Sequence, residues 1–137
     1  MPTNNYSLYT DGGARGNPGP AAIGVVLISP EGKEVKALGR TIGSTTNNQA
    51  EYQALLLGLE LALAEGVREL ACYLDSELVV KQLNREYKVK DKDLAPLFIR
   101  VWNMAQEFKT VSFSHVPRER NTRADGLVNE ALDSEIK

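Results

Sequence analysis

Tyr6-Ser-Leu-Tyr-Thr-Asp11-Gly-Gly-Ala-Arg-Gly-Asn-Pro-Gly-Pro20-Ala-Ala-Ile-Gly-Val-Val-Leu-Ile28 reads as strand, turn, strand. Tyr6 to Asp11 is a short alternating run that carries an aspartate to its end. Gly12 to Pro20 is dense in glycine and proline, which is turn chemistry. Ala21 to Ile28 is apolar and β-branched, the pattern of a central strand. Ser29-Pro-Glu-Gly-Lys33 predicts a hairpin turn, and Glu34 to Ile42 the returning strand. Strands joined this closely suit an antiparallel meander.

The pattern then changes period. Thr45-Thr46-Asn47-Asn48 offers N-cap candidates for a long helix over residues 47–65, with Ala50, Ala54, Leu57, Leu61 and Ala64 at helical spacing and Gly66 as a stop. Residues 69–75 form a short apolar strand and 76–85 a helix. Residues 88–93 form a charged loop, 94–108 a helix with Pro96 in its first turn, 110–116 a strand, and 120–132 a closing helix. The order is β-β-β-α-β-α-α-β-α. Strands reached through helices pair in parallel, so a five-stranded mixed sheet with helices on both faces is expected. At 137 residues the chain suits one domain, spanning residues 1–137.

Composition narrows the function. Apolar residues at 42% and charged residues at 25% are ordinary for a soluble chain. The apolar run from Ala21 to Ile28 is far short of the ~20 residues of a membrane span, and no basic, then apolar, leader opens the chain. A cytoplasmic protein without a membrane partner is expected, and nothing in the chain demands a second copy, so a monomer. The lone cysteine, Cys72, excludes an internal disulfide and reads as a small buried hydrophobe. With one histidine, His115, any metal must be held mainly by carboxylates, which favours a hard ion such as Mg²⁺ or Mn²⁺. The net charge of −2 weighs mildly against nucleic acid, although a net figure hides distribution.

Four carboxylates stand in unusual places. Asp11 and Asp75 each end a predicted strand, the edge at which open α/β sheets place ligands. Adjacent parallel strands would set them side by side. Glu51 lies early in the long helix and Asp125 in the last one. Singly, each has a plain structural reading, a helix-dipole partner for Glu51 and an arginine partner for Asp125. Together they make physical sense as a divalent-metal site, because clustered like charges are costly without a cation. Two ions roughly 3.5–4 Å apart can activate water and stabilise the leaving oxygen of a phosphodiester.

The blocks that carry these residues resemble the type 1 ribonuclease H family. They are Tyr9-Thr-Asp-Gly-Gly-Ala-Arg-Gly-Asn-Pro-Gly-Pro20, Thr46-Asn-Asn-Gln-Ala-Glu-Tyr-Gln-Ala-Leu55, Leu74-Asp-Ser76, and His115-Val-Pro-Arg-Glu-Arg-Asn-Thr-Arg-Ala-Asp125. They occur in family order over nearly the whole chain. The resemblance implies a ribonuclease H-like fold with sheet order 3-2-1-4-5. It implies endonucleolytic hydrolysis of the RNA strand of RNA/DNA hybrids, leaving 5′-phosphate and 3′-hydroxyl ends. It further implies that two Mg²⁺ ions, with Mn²⁺ as a substitute, are held by Asp11, Glu51, Asp75 and Asp125. Asp11 would bridge the ions, Asp125 would help hold the water-activating one, and Glu51 and Asp75 would complete the other.

Substrate contacts follow in the same way. Only RNA offers a 2′-hydroxyl, and main chain at Gly12 and Gly13 can approach it because glycine lacks a Cβ. Asn47 and Asn48 are placed for the minor groove or for N-capping. By resemblance Asn17 and Asn48 contact backbone or sugars, and Thr46 a DNA-strand phosphate. His115 is either a catalytic aid, as histidines at this spacing are in relatives, or a structural strand-end residue. The usual Gly-His-x-Gly context is missing here. Arg118 is either a phosphate or product handler or a solvated arginine. Trp102, spaced with Phe98 and Ile99, reads as core or interhelix packing.

The 88–93 loop is too short and mixed in charge for the basic protrusion of larger bacterial members, and resembles archaeal and Gram-positive-like forms. Salt-sensitive binding is the consequence. Cleavage of double-stranded RNA as well as the hybrid stays open, as does a non-catalytic nucleic-acid-binding domain. A small-substrate phosphatase is disfavoured, because Gly12 to Gly16 lacks the lysine-serine of a phosphate loop and Asp91-Lys-Asp93 sits away from a strand end.

Overall fold

The computed structural model describes residues 5–135. The three early strands are β1 (Tyr6–Ala14), β2 (Gly19–Ile28) and β3 (Glu34–Thr45). They are followed by α1 (Asn47–Ala64), β4 (Glu69–Leu74), α2 (Glu77–Leu83), α3 (Ala95–Ala105), β5 (Thr110–His115), a 3₁₀ turn at Arg118–Arg120 and α4 (Thr122–Glu135). The sheet order is β3-β2-β1-β4-β5. β1 and β2, and β2 and β3, pair antiparallel, whereas β4 runs parallel to both β1 and β5. This is the mixed five-stranded sheet that the sequence pattern predicts.

One boundary differs in a way that matters. The sequence ends the first strand at Asp11, but β1 continues to Ala14, with Gly12 opposite Ile23 and Gly13 opposite Ala22 on β2. The Gly-Gly pair is therefore strand, not turn. Close packing is the reason: a Cβ on Gly12 would overlap the Ala50 carbonyl of α1 and lie 2.5 Å from the Glu51 nitrogen. The turn itself is confined to residues 15–18. The 3₁₀ turn is a second departure, since residues 117–121 intervene before α4 begins at Thr122.

α1 is apolar on most sides because it is covered on most sides. Tyr52, Leu55 and Leu59 join Leu8, Val25, Leu27, Leu70, Cys72 and Leu74 of the sheet, and Val101 of α3, in one buried cluster. Its start is a capping box: Thr46 Oγ1 accepts the Gln49 N–H at 3.2 Å while the Gln49 side chain accepts the Thr46 N–H. Its end is a Schellman turn at Gly66, with φ +78°, where Val67 N–H donates to Ala62 O and Gly66 N–H to Leu63 O. α4 covers the other face through Ala124, Leu127, Val128 and Leu132 against Ala22 and Val26. Cys72 is fully buried, in line with its reading as a hydrophobe. Of the two readings for Trp102, core or interhelix packing, the core one does not hold. The residue is 40% exposed, stacks on Phe98, and carries the Arg85 guanidinium over its ring.

Within the core, Tyr52 Oη donates to Gln82 Oε1 at 2.7 Å, tying α1 to α2. Tyr52→Phe leaves that buried acceptor without its donor and is expected to cost about 1–3 kcal/mol. An unchanged urea midpoint would show that the bond contributes nothing net.

Candidate active site

The parallel ladder between β1 and β4 ends at the pair Thr10–Leu74. The next residue on each strand is Asp11 and Asp75, so register alone sets the two carboxylates side by side at the carboxyl edge. Glu51 descends on them from the second turn of α1. Oxygens from Asp11, Glu51 and Asp75 lie within 4.8 Å of one another. Asp125, from the first turn of α4, stands outside that group but lines the same cleft of about 480 Å³. Gly12, Gly13, Asn47, Asn48, Ser76, Arg118 and Asn129 also line it.

Two of these carboxylates are buried, Asp11 at 5% exposure and Glu51 at 6%. Gly12 N–H donates to Glu51 Oε1 at 2.6 Å, while Glu51 Oε2 is buried with no partner. Desolvation raises both acids. Asp11 is pushed up from 3.8 to about 7, mainly by burial, with Asp75 and Asp125 repelling its charge and a hydrogen bond from Glu51 opposing the rise. Glu51 is held well above the usual carboxylate range by burial and by the Asp11 charge, and a shared hydrogen bond favours the proton on Glu51.

These shifts make stability depend on pH. The folded state binds a proton at Asp11 that the unfolded chain releases above pH 3.8, so this stabilisation is full below that value and is lost as pH rises to about 7. Glu51 extends the trend upward. The metal-free protein is therefore expected to lose stability, relative to Asp11→Asn, between about pH 4 and 7. The gap should be on the order of 3 kcal/mol. Urea midpoints of both proteins with chelator at pH 5 and pH 8 test this, and a constant gap would contradict it.

The remaining site candidates divide. Thr46 is the N-cap, and Asn47 and Asn48 are the first helical residues. Asn47 Oδ1 accepts the Ala14 N–H at 2.8 Å, and Asn17 Oδ1 accepts the Asn47 N–H at 3.0 Å. Asn17 is exposed and lies off the cleft lining, as does Thr46. Arg118 lines the cleft and has no ion pair among the described residues. His115 ends β5 opposite Leu74, exposed and off the lining.

Sequence reasoning assigned no role to Asn121. Its side chain, 1% exposed, donates from Nδ2 to Thr10 O at 2.9 Å and to Asp75 Oδ2 at 3.1 Å. The sequence pattern places it at the start of a helix over residues 120–132, and nothing local reveals that its amide reaches across the sheet edge.

A 3-2-1-4-5 mixed sheet with acidic side chains converging where the β1–β4 ladder ends defines the ribonuclease H-like class. Comparison with known proteins narrows this. The family described as reverse transcriptase-like matches residues 9–131. Ribonuclease HI of Halobacterium salinarum is 49% identical over 91% of this chain and 63% of its own. The crystal structure of RNase H1 from that archaeon matches with TM-score 0.93 and 47% identity, over 95% of this chain and 98% of that one. LC11-RNase H1, solved in complex with an RNA/DNA hybrid, matches with TM-score 0.92 and 43% identity, over 97% of this chain and 100% of that one. The chain belongs to the type 1 ribonuclease H family. It spans less than two-thirds of the length of its most similar curated relatives, 63% of the halobacterial protein and 35% of a mycobacterial bifunctional protein. Among the described residues, no helix is long and apolar enough to cross a membrane.

Proposed function

We propose that this chain is a metal-dependent endoribonuclease that hydrolyses the RNA strand of RNA/DNA hybrids, leaving 5′-phosphate and 3′-hydroxyl ends. The convergence of Asp11, Glu51 and Asp75 within 4.8 Å, with Asp125 beside them in an open cleft, carries the reading.

A hard divalent cation fits these residues. The donor set is all oxygen, Glu51 Oε2 is buried without a partner, and Asp11 is repelled by two neighbouring aspartates. Asp11, Glu51, Asp75 and Asp125 would hold two Mg²⁺ ions, with Mn²⁺ as substitute. Bound there, such ions supply the positive charge that favours an attacking water and a leaving 3′-oxygen. The rest is the chain's own work. Gly12 N–H orients Glu51, and because α1 backbone covers Gly12 the expected approach of substrate to that main chain falls to Gly13 alone, where a Cβ would make only ordinary contact. The side-chain oxygens of Asn17 and Asn47 are engaged with backbone N–H groups, which leaves their amide NH₂ groups as donors for phosphate or 2′-hydroxyl oxygens. Asn48 stands beside Asn47 on the cleft, whereas Asn17 and the N-cap Thr46 lie off its lining. Arg118 offers a cation to the phosphate or the product, whereas Arg15 on the same cleft is engaged with Asp133. No such position favours His115, which leaves it a strand-end residue. One monomeric cytoplasmic domain over residues 1–137 completes the proposal.

The test is an end-labelled RNA/DNA hybrid with Mg²⁺ or Mn²⁺, beside double-stranded RNA and an Asp75→Asn control. Hybrid cleavage that disappears in the variant supports the reading, and the duplex-RNA lane defines its selectivity. A folded protein that cuts nothing with either metal would favour a non-catalytic nucleic-acid-binding domain.

A further inference from the structure

We propose that Asn121 is a positioning residue that sets the Asp75 carboxylate against Asp11 for cation binding, an inference that rests on the proposed function. The β1–β4 ladder stops at Thr10 and Leu74, and the β4–β5 ladder stops at Leu74 and His115. Asp75 thus lies just past both ladders. Asn121 spans that gap. One amide nitrogen binds the Thr10 carbonyl, next to Asp11, and Asp75 Oδ2. Its own backbone carbonyl accepts the Asp125 N–H at 3.0 Å, so the residue that clamps β1 to Asp75 also anchors the turn that presents Asp125. Three of the four acidic positions meet at one side chain and its peptide.

The hydrogen bonds are lopsided, and that points to function. Asn121 Oδ1 is buried with no partner, while its nitrogen has two. A buried polar atom without a partner is unfavourable, and an apolar residue of similar size fills the same space without that cost. The site therefore uses the donor end. A donor on Oδ2 fixes the direction of Asp75's other oxygen. Groups that orient a ligand in this way typically change affinity or activity about 10- to 100-fold when removed.

The experiment uses Asn121→Leu, similar in volume and without the donor. Mn²⁺ affinity by calorimetry, without substrate, is expected to fall about 10- to 100-fold. On the hybrid, kcat should fall by a similar factor with KM little changed. In an Asp75→Asn background the same substitution should add nothing. A second measurement leaves Asn121 in place: its side-chain amide resonances in the unaltered protein should shift when Mg²⁺ is added, and should move in metal-free Asp75→Ala. Unmoved resonances, or wild-type Mn²⁺ affinity in folded Asn121→Leu, overturn the proposal alone. An unaltered protein that neither binds Mn²⁺ nor cuts hybrid overturns the functional reading and this proposal with it.

Discussion

Asp11→Asn is expected to abolish hybrid cleavage and, in the same protein, to raise the unfolding temperature measured with chelator. Asp11 is buried among Glu51, Asp75 and Asp125, and its carboxyl is pushed up to about 7. Near neutral pH the metal-free fold therefore contains charge that burial and repulsion oppose. Asparagine keeps the shape and removes that charge, so stability rises. The same charge is what a divalent cation needs. Losing a ligand that contributes several kcal/mol of charge stabilisation lowers the rate by about 10³-fold or more. Mg²⁺ should raise the unfolding temperature of the parent and act much less on the variant. The two effects have one cause, so they must appear together. A variant that is inactive but destabilised would point to a damaged fold, and one that is stabilised but active would remove Asp11 from the metal site.

Gly12→Ala is expected to be severely destabilising, at about 4 kcal/mol or more, enough to unfold a marginal domain. Its Cβ would overlap the Ala50 carbonyl, and both obstructing groups are helix backbone that cannot rotate away. α1 would have to move off β1, which also breaks the 2.6 Å bond from Gly12 N–H to Glu51. Gly13→Ala is the control. There a Cβ meets only Val128 Cγ1 at 3.7 Å, ordinary contact, and its stability should change by less than about 1 kcal/mol. Equal unfolding temperatures for the two alanine variants would contradict the close approach of α1. If Gly12→Ala folds, its activity should still fall, because Glu51 is displaced.

Much of this site is written in local patterns. Asp11 closes a short alternating run and Asp75 a short apolar one, which brings both to one edge of the sheet although β1 itself continues to Ala14. The 2.0 and 3.6 periods separate strands from helices, and Thr45 to Asn48 mark the start of α1, where the structure makes Thr46 the cap. Other features have no local sign. Gly12-Gly13 reads as a turn, because nothing in the sequence says that a helix backbone lies over the first glycine and spares the second. Asn121 reads as a helix start, because its partners are 111 and 46 residues away. Trp102 reads as core or interhelix packing from its spacing, and only the structure shows it half-exposed with Arg85, just past α2, over its ring.

The sequence by itself determined the elements and their order, since these follow from periodicity over a few residues, and it pointed to Asp11, Glu51 and Asp75, which the fold brings together. The tertiary structure decided how deeply Asp11 and Glu51 are buried, which glycine α1 packs against, and which side chain bridges Thr10 to Asp75. Those depend on the register of β1 against β4 and on the seat of α1 and α4 on the sheet. Register and seating come from packing between segments far apart in the chain, where no short pattern carries the information.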